Sequence, residues 1–221
     1  MFPLISIWGY IALFKCTLVL TSLVFWLVSR RMLGAGATWL GLQLLAAVCA
    51  EGIATWLSFQ STNNMRVYDV YLVVEFPLLL LFTTQSWKQP QRTGALVVCA
   101  LCYAFVLVQE FPHAWVEQEF LAAGYAVGGS LLVMLAIISL FQLALRSHAP
   151  IARVPAAWML LGIAIFFGGS IPLMGLTNVL IEREVPWAPN MYFINDALFT
   201  LRYGSVIIAA MMCLRTRQAR I

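Results

Sequence analysis

LISIWGYIALFKCTLVLTSLVFWLV, residues 4–28, is an unbroken apolar stretch carrying one charge, Lys15. A run of this kind predicts a membrane-crossing helix: about 20 apolar residues span a hydrocarbon core, whereas a barrel strand uses only about 10 alternating ones. Outward from this Leu4–Val28 segment, comparable runs occupy Ala37–Leu57, Val67–Trp87, Gly94–Gln109, Glu119–Leu145, Ala156–Leu180 and Asn190–Leu214. The expected fold is an all-α integral membrane protein, one domain of seven transmembrane helices over residues 1–221. Composition supports it, since 62% of residues are hydrophobic and 10% charged, where soluble domains carry about 25% charged residues.

Two further patterns agree with this segmentation. Tryptophan prefers the membrane–water interface, and Trp8, Trp26, Trp39, Trp56, Trp87, Trp115, Trp158 and Trp187 all fall near an expected helix end or in a connection. Basic residues near helix ends are retained in the cytoplasm. Arg30, Arg31, Lys88, Arg92, Arg146, Arg153, Arg215, Arg217 and Arg220 gather on one side, against Arg66 and Arg183 on the other. The N-terminus is therefore expected outside and the C-terminus in the cytoplasm. Met1–Phe14 has no basic region ahead of its apolar run, so a cleaved signal peptide is not expected. The net charge of +4 is spread over short connections, which points to anionic lipid headgroups, or alternatively a cytoplasmic protein partner, and not to nucleic acid.

In that orientation all nine acidic residues fall within or beyond the outer half of the bilayer. Asp69, Glu110, Glu117, Glu119, Glu182 and Glu184 form an expected outer rim. Lys15, Glu51, Glu75, Asp196 and Arg202 lie inside the apolar runs, where an unpaired charge costs at least about 2.5 kcal/mol. Two cations and three anions at similar depth can nearly neutralise one another. The expected pairs are Glu75 with Arg202 and Glu51 with Lys15, with an exchange of partners as the alternative.

The third and seventh runs each present a polar face. Asn64, Tyr68, Tyr71 and Glu75 are spaced i, i+4, i+7, i+11 on one side of a helix, and Tyr192, Asn195, Phe199 and Arg202 are spaced i, i+3, i+7, i+10, with Asp196 and Tyr203 adjacent. Pro77 leaves the carbonyl of Val73 without its helical partner, and Asn190 after Pro189 is placed to cap the last helix. Gly124-x-x-x-Gly128 and Gly168-Gly169-Ser170 ahead of Pro172 suit close helix packing, within the chain or against a second copy or partner. Pro172 is also a candidate break.

Several chemistries lack their residues. Cys16, Cys49, Cys99, Cys102 and Cys213 all lie in apolar runs, so no disulfide framework is expected, and Cys99-Ala-Leu-Cys102 reads as buried small hydrophobes. His113 and His148 fall on opposite sides, too few and too far apart for a histidine metal centre or haem. The last run has no lysine for a retinal Schiff base of the rhodopsin kind. No nucleophile–base set lies at membrane depth. No catalytic residue, metal or cofactor is expected.

Asn63-Asn64-Met-Arg-Val-Tyr68-Asp-Val-Tyr71-Leu-Val-Val-Glu75 resembles the Asn-Asn, Tyr, Tyr, Glu signature of a group of uncharacterised bacterial seven-helix membrane proteins. The resemblance covers thirteen residues; it implies a bacterial inner-membrane location and transfers no activity. Tyr71-Leu-Val-Val-Glu75 also echoes Tyr192-Phe-Ile-Asn-Asp196 about 120 residues later, a three-plus-one-plus-three layout like that of small seven-helix sugar transporters. Pro90-Gln91, in the basic connection after the third run, resembles the dipeptide of PQ-loop transporters. The expected function is a receptor-like or interaction subunit. It would bind a small molecule, lipid or protein in an outward-facing polar site lined by Lys15, Glu51, Tyr68, Tyr71, Glu75, Tyr192, Asn195, Asp196 and Arg202. The alternatives are a small-solute or cation transporter coupled to its carboxylates, and ions that only lock helices together.

Overall fold

A computed structural model describes residues 7–33, 36–60, 62–117, 120–147, 149–183 and 191–218, with the side chains of 7, 8, 117, 175–179, 181, 182, 191, 192 and 216–218 left undescribed. The described residues form seven α-helices and no strand: α1 (Ile7–Ser29), α2 (Ala37–Phe59), α3 (Met65–Thr83), α4 (Gln89–Glu117), α5 (Ala122–Arg146), α6 (Pro155–Glu182) and α7 (Met191–Gln218), with a 3₁₀ turn at Ile151–Arg153. Six are long and apolar enough to cross a membrane. The exception is α3, which carries Arg66, Asp69 and Glu75 within its nineteen residues.

Successive helices run in opposite directions. Trp26 Nε1 donates to the carbonyl of Ala37 across the first hairpin at 2.8 Å, and Asn64 donates to Ser58 across the second at 3.0 Å. The connections bearing Arg30, Arg31, Lys88, Arg92, Arg146 and Arg153 therefore share one end, here the basic end. The opposite, acidic end carries the N-termini of α3, α5 and α7. Neighbours follow the order α1, α2, α3, α5, α6, α7 and back to α1, a closed ring of six, with α4 outside it against α5 and α3. The α3–α5 seam, which skips α4, is held by Ser139 Oγ donating to the Thr83 carbonyl and accepting from Trp87 Nε1, both at 2.7 Å.

Glycines set the closest approaches. A Cβ at Gly162 would stand 2.0 Å from Ser205 Oγ of α7, and one at Gly169 2.8 Å from Leu198. Gly128 lies under the rings of Tyr103 and Phe76. The Gly124–Gly128 stripe is thus used inside the chain, between α5 and its neighbours α3 and α4.

The structure corrects several boundaries. α4 is far longer than Gly94–Gln109: its 29 residues extend about 44 Å, taking in Pro90-Gln91 as its first turn and continuing through Pro112. Its polar ends do not stop it, because Arg66 reaches across to the carbonyls of Ala114 and Trp115 and lies over the Trp115 ring. α3 and α6 likewise continue as single helices through Pro77 and Pro172, so Pro172 marks no break in the helix. Beside the Pro77 site the Leu72 carbonyl accepts a bond from Tyr103 Oη at 3.2 Å. Pro189, Asn190 and Trp187 lie outside the described residues.

Two of the expected rim acids serve the fold. Glu110 of α4 accepts the N–H groups of Ala123 and Gly124 at 2.7 and 2.6 Å, satisfying donors that the first turn of α5 leaves free. Asp69 is buried, accepts the Leu121 N–H at 3.3 Å and pairs with Arg66 at 3.8 Å. Glu119 and Glu184, and the side chains of Glu117 and Glu182, lie outside the described residues.

Candidate polar site inside the helix ring

Ionisable side chains from α1, α2, α3 and α7 meet inside the ring as two clusters. The deeper one centres on Glu75. Arg202 Nη2 lies 2.5 Å from its Oε1, Tyr71 Oη donates to the same oxygen at 2.6 Å, and Gln43 Nε2 at 3.2 Å. Gln43 also reaches Tyr71 Oη at 2.8 Å and Tyr203 Oη at 3.3 Å. Glu75, Arg202, Gln43 and Tyr203 are all at least 96% buried. The helical spacing explains why they meet: Tyr71 and Glu75 stand i, i+4 on α3, and Arg202 and Tyr203 are neighbours on α7.

Burying ions is costly unless each is paired and its remaining hydrogen-bonding capacity met. Here one guanidinium meets one carboxylate, an amide and a phenol donate to the same carboxylate oxygen, Oε1, and the guanidinium lies 4.9 Å from the Phe166 ring and 5.3 Å from that of Phe167. The Arg202–Glu75 pair is neutral overall and buried. The cluster is suited to fixing α2, α3 and α7 against one another.

The second cluster sits about two helical turns nearer the acidic end, roughly 10 Å away along the axis. Lys15 Nζ lies between Glu51 Oε1 at 3.7 Å and Asp196 Oδ1 at 3.6 Å. Tyr68 Oη donates to Glu51 Oε2 at 3.3 Å. The ammonium is also 4.9 Å from the Phe199 ring and 5.6 Å from that of Tyr68. Lys15 and Asp196 keep 16% and 21% of their side-chain surface exposed. With both acids ionised this cluster carries one excess negative charge. Its ion-pair distances exceed the roughly 2.7–2.9 Å of a direct charged hydrogen bond.

No protein-family model, curated protein or solved structure matches the chain.

Of the nine residues expected to line the site, the structure brings seven together: Lys15, Glu51, Tyr68 and Asp196 in the shallower cluster, and Tyr71, Glu75 and Arg202 in the deeper one. Asn195 joins neither cluster: its Oδ1 is buried without a hydrogen-bond partner among the described residues. The side chain of Tyr192 lies outside the described residues. Gln43, which binds three members of the deeper cluster, was not foreseen. Its signal is a lone amide eight residues before Glu51, which with Ala47 between them makes one i, i+4, i+8 stripe along α2.

Proposed function

We propose that this chain is a seven-span inner-membrane protein, N-terminus outside and C-terminus in the cytoplasm, acting as a receptor-like subunit. It receives a small polar ligand from outside at Lys15, Glu51 and Asp196. The orientation rests on the basic connections gathered at one end, and the bacterial setting on the resemblance of Asn63–Glu75 to the seven-helix signature. A seventh crossing by α3 is supported by its inward charges, since Glu75 and Asp69 are buried against partners and not turned to lipid.

One observation carries the functional reading. The partly exposed, acid-rich cluster stands directly over a neutral one centred on the buried Arg202–Glu75 pair in the same ring. A ligand can exchange with the first; passage beyond it requires parting Arg202 from Glu75. That arrangement suits sensing from one side, with the bonded layer beneath transmitting displacement of α1 or α7 to the basic face.

Sidedness tests it. In a variant with the five native cysteines replaced, Asp196→Cys should react with a membrane-impermeant maleimide added outside intact cells, and not with reagent presented to inside-out vesicles. Reaction from the cytoplasmic side would reject the one-sided site. The ring order favours a transporter as the second reading: α1–α3 and α5–α7 map onto each other by a shift of three places with α4 left out, as the three-plus-one-plus-three layout requires. Alternating access would label Asp196→Cys from both faces.

A further inference from the structure

The surroundings of Lys15 Nζ combine acidic and aromatic groups. Two carboxylates, Glu51 and Asp196, approach it from α2 and α7, and the rings of Phe199 and Tyr68 lie within cation–π range. Carboxylates supply charge, and the rings favour a weakly hydrated cation with carbon around its charge. A hard metal ion calls for a shell of several oxygens. Among the described residues no three acidic, thiol or imidazole groups converge to offer one.

The lysine is a loose occupant of this cage. Its two ion-pair distances, 3.6 and 3.7 Å, contrast with the 2.5 Å contact of Arg202 to Glu75. Among the described residues its polar partners are the two acids, and it remains partly exposed while its deeper counterpart is not. Removing Lys15 from the cage leaves two carboxylates and no cation. The space vacated is that of a four-carbon stem ending in an ammonium.

We propose that Lys15 is a tethered stand-in for a small alkyl or methylated ammonium ion, which competes with its Nζ for the place between Glu51 and Asp196. This rests on the reading of the shallower cluster as open from the acidic end. Binding releases Lys15 from α2 and α7 and so loosens the hold of α1 on both. The ligand's arrival is thereby coupled to helix contacts without any covalent step.

The chain contains two lysines, Lys15 and the exposed Lys88, so amine reactivity reports on Lys15 with an internal control. The wild-type protein in lipid nanodiscs is reductively methylated with formaldehyde and cyanoborohydride, with tetramethylammonium chloride or sodium chloride at equal ionic strength, and the two lysines are read by mass. Tetramethylammonium should speed Lys15 modification about tenfold, the equivalent of about 1.4 kcal/mol, leaving Lys88 unchanged. An equal effect of sodium chloride, or none from either salt, overturns the proposal. As a second readout, n-butylammonium should raise the melting temperature of Lys15→Ala, n-butanol should not, and adding Asp196→Asn should abolish the rise; a folded Lys15→Ala that n-butylammonium leaves unshifted also overturns it. If Lys15→Ala does not fold, the wild-type labelling decides alone. Unchanged Lys15 labelling alongside Asp196→Cys modified only from outside defeats this inference and spares the one-sided site. Modification of Asp196→Cys from the cytoplasmic side defeats that site itself.

Discussion

The deeper and shallower clusters use the same residue types to opposite ends. Around Glu75, Arg202, Gln43 and Tyr203 are buried with it and the ion pair is short; around Lys15, the same kind of ions sit at longer range, in partial contact with the surroundings, with one acid in excess. A matched pair supported by Gln43 and Tyr71 is balanced within itself. An unmatched triad is not, and on the proposed reading it is stoichiometry and distance, more than charge inside an apolar ring, that separate lock from site.

Breaking the lock should cost most. Arg202→Ala leaves Glu75 buried and uncompensated, and is expected to destabilise the protein by about 3–5 kcal/mol in thermal or denaturant unfolding in detergent. Glu75→Leu combined with Arg202→Met should recover most of that loss, because removing both ions also removes their desolvation cost. If the double variant is no better than Arg202→Ala, the pair does more than satisfy itself.

Gln43→Leu should cost about 1–2 kcal/mol, since it strips donors from Glu75, from the buried Tyr203 and from the partly buried Tyr71 while leaving the ion pair. Glu110→Ala, which frees the Ala123 and Gly124 N–H groups at the start of α5, should cost about 1 kcal/mol without touching either cluster. Lys15→Met should cost less than Arg202→Ala, because its ion pairs are longer and Lys15 and Asp196 keep part of their surface exposed, although it leaves the buried Glu51 without its cation. A Lys15→Met loss as large as that of Arg202→Ala would erase the distinction between the clusters.

Much of this arrangement was legible in the chain. Charge balance pointed to Glu75 with Arg202 and Glu51 with Lys15, because an ion in an apolar run must find an opposite one; counting along the spans puts Lys15 level with Glu75 instead, whereas in the structure it stands with Glu51. The polar faces at Tyr68, Tyr71 and Glu75 followed from helical spacing. What pairing rules could not supply was the third partner: Asp196 shares Lys15 with Glu51 because α1 lies between α2 and α7, a matter of ring order. Gln43 escaped because an uncharged amide in an apolar run makes little demand by hydropathy. The length of α4 was hidden by Pro112 and by polar ends whose anchors, Arg66 and the start of α5, lie on other helices. Asp69 and Glu110 looked like a rim for the same reason, as capping needs a helix end brought from elsewhere in the chain.

The central claim is that the ring is accessible at the shallower level and closed at the deeper one. In the cysteine-free variant, Asp196→Cys reports on the first and Ser22→Cys on the second, since the fully buried Ser22 donates to the Tyr203 carbonyl at 3.2 Å. With impermeant maleimide outside, Asp196→Cys should be modified readily and Ser22→Cys should resist, from that side and from the cytoplasm alike. Comparable modification at both positions would mean a path runs through the Glu75–Arg202 layer, and would contradict the account.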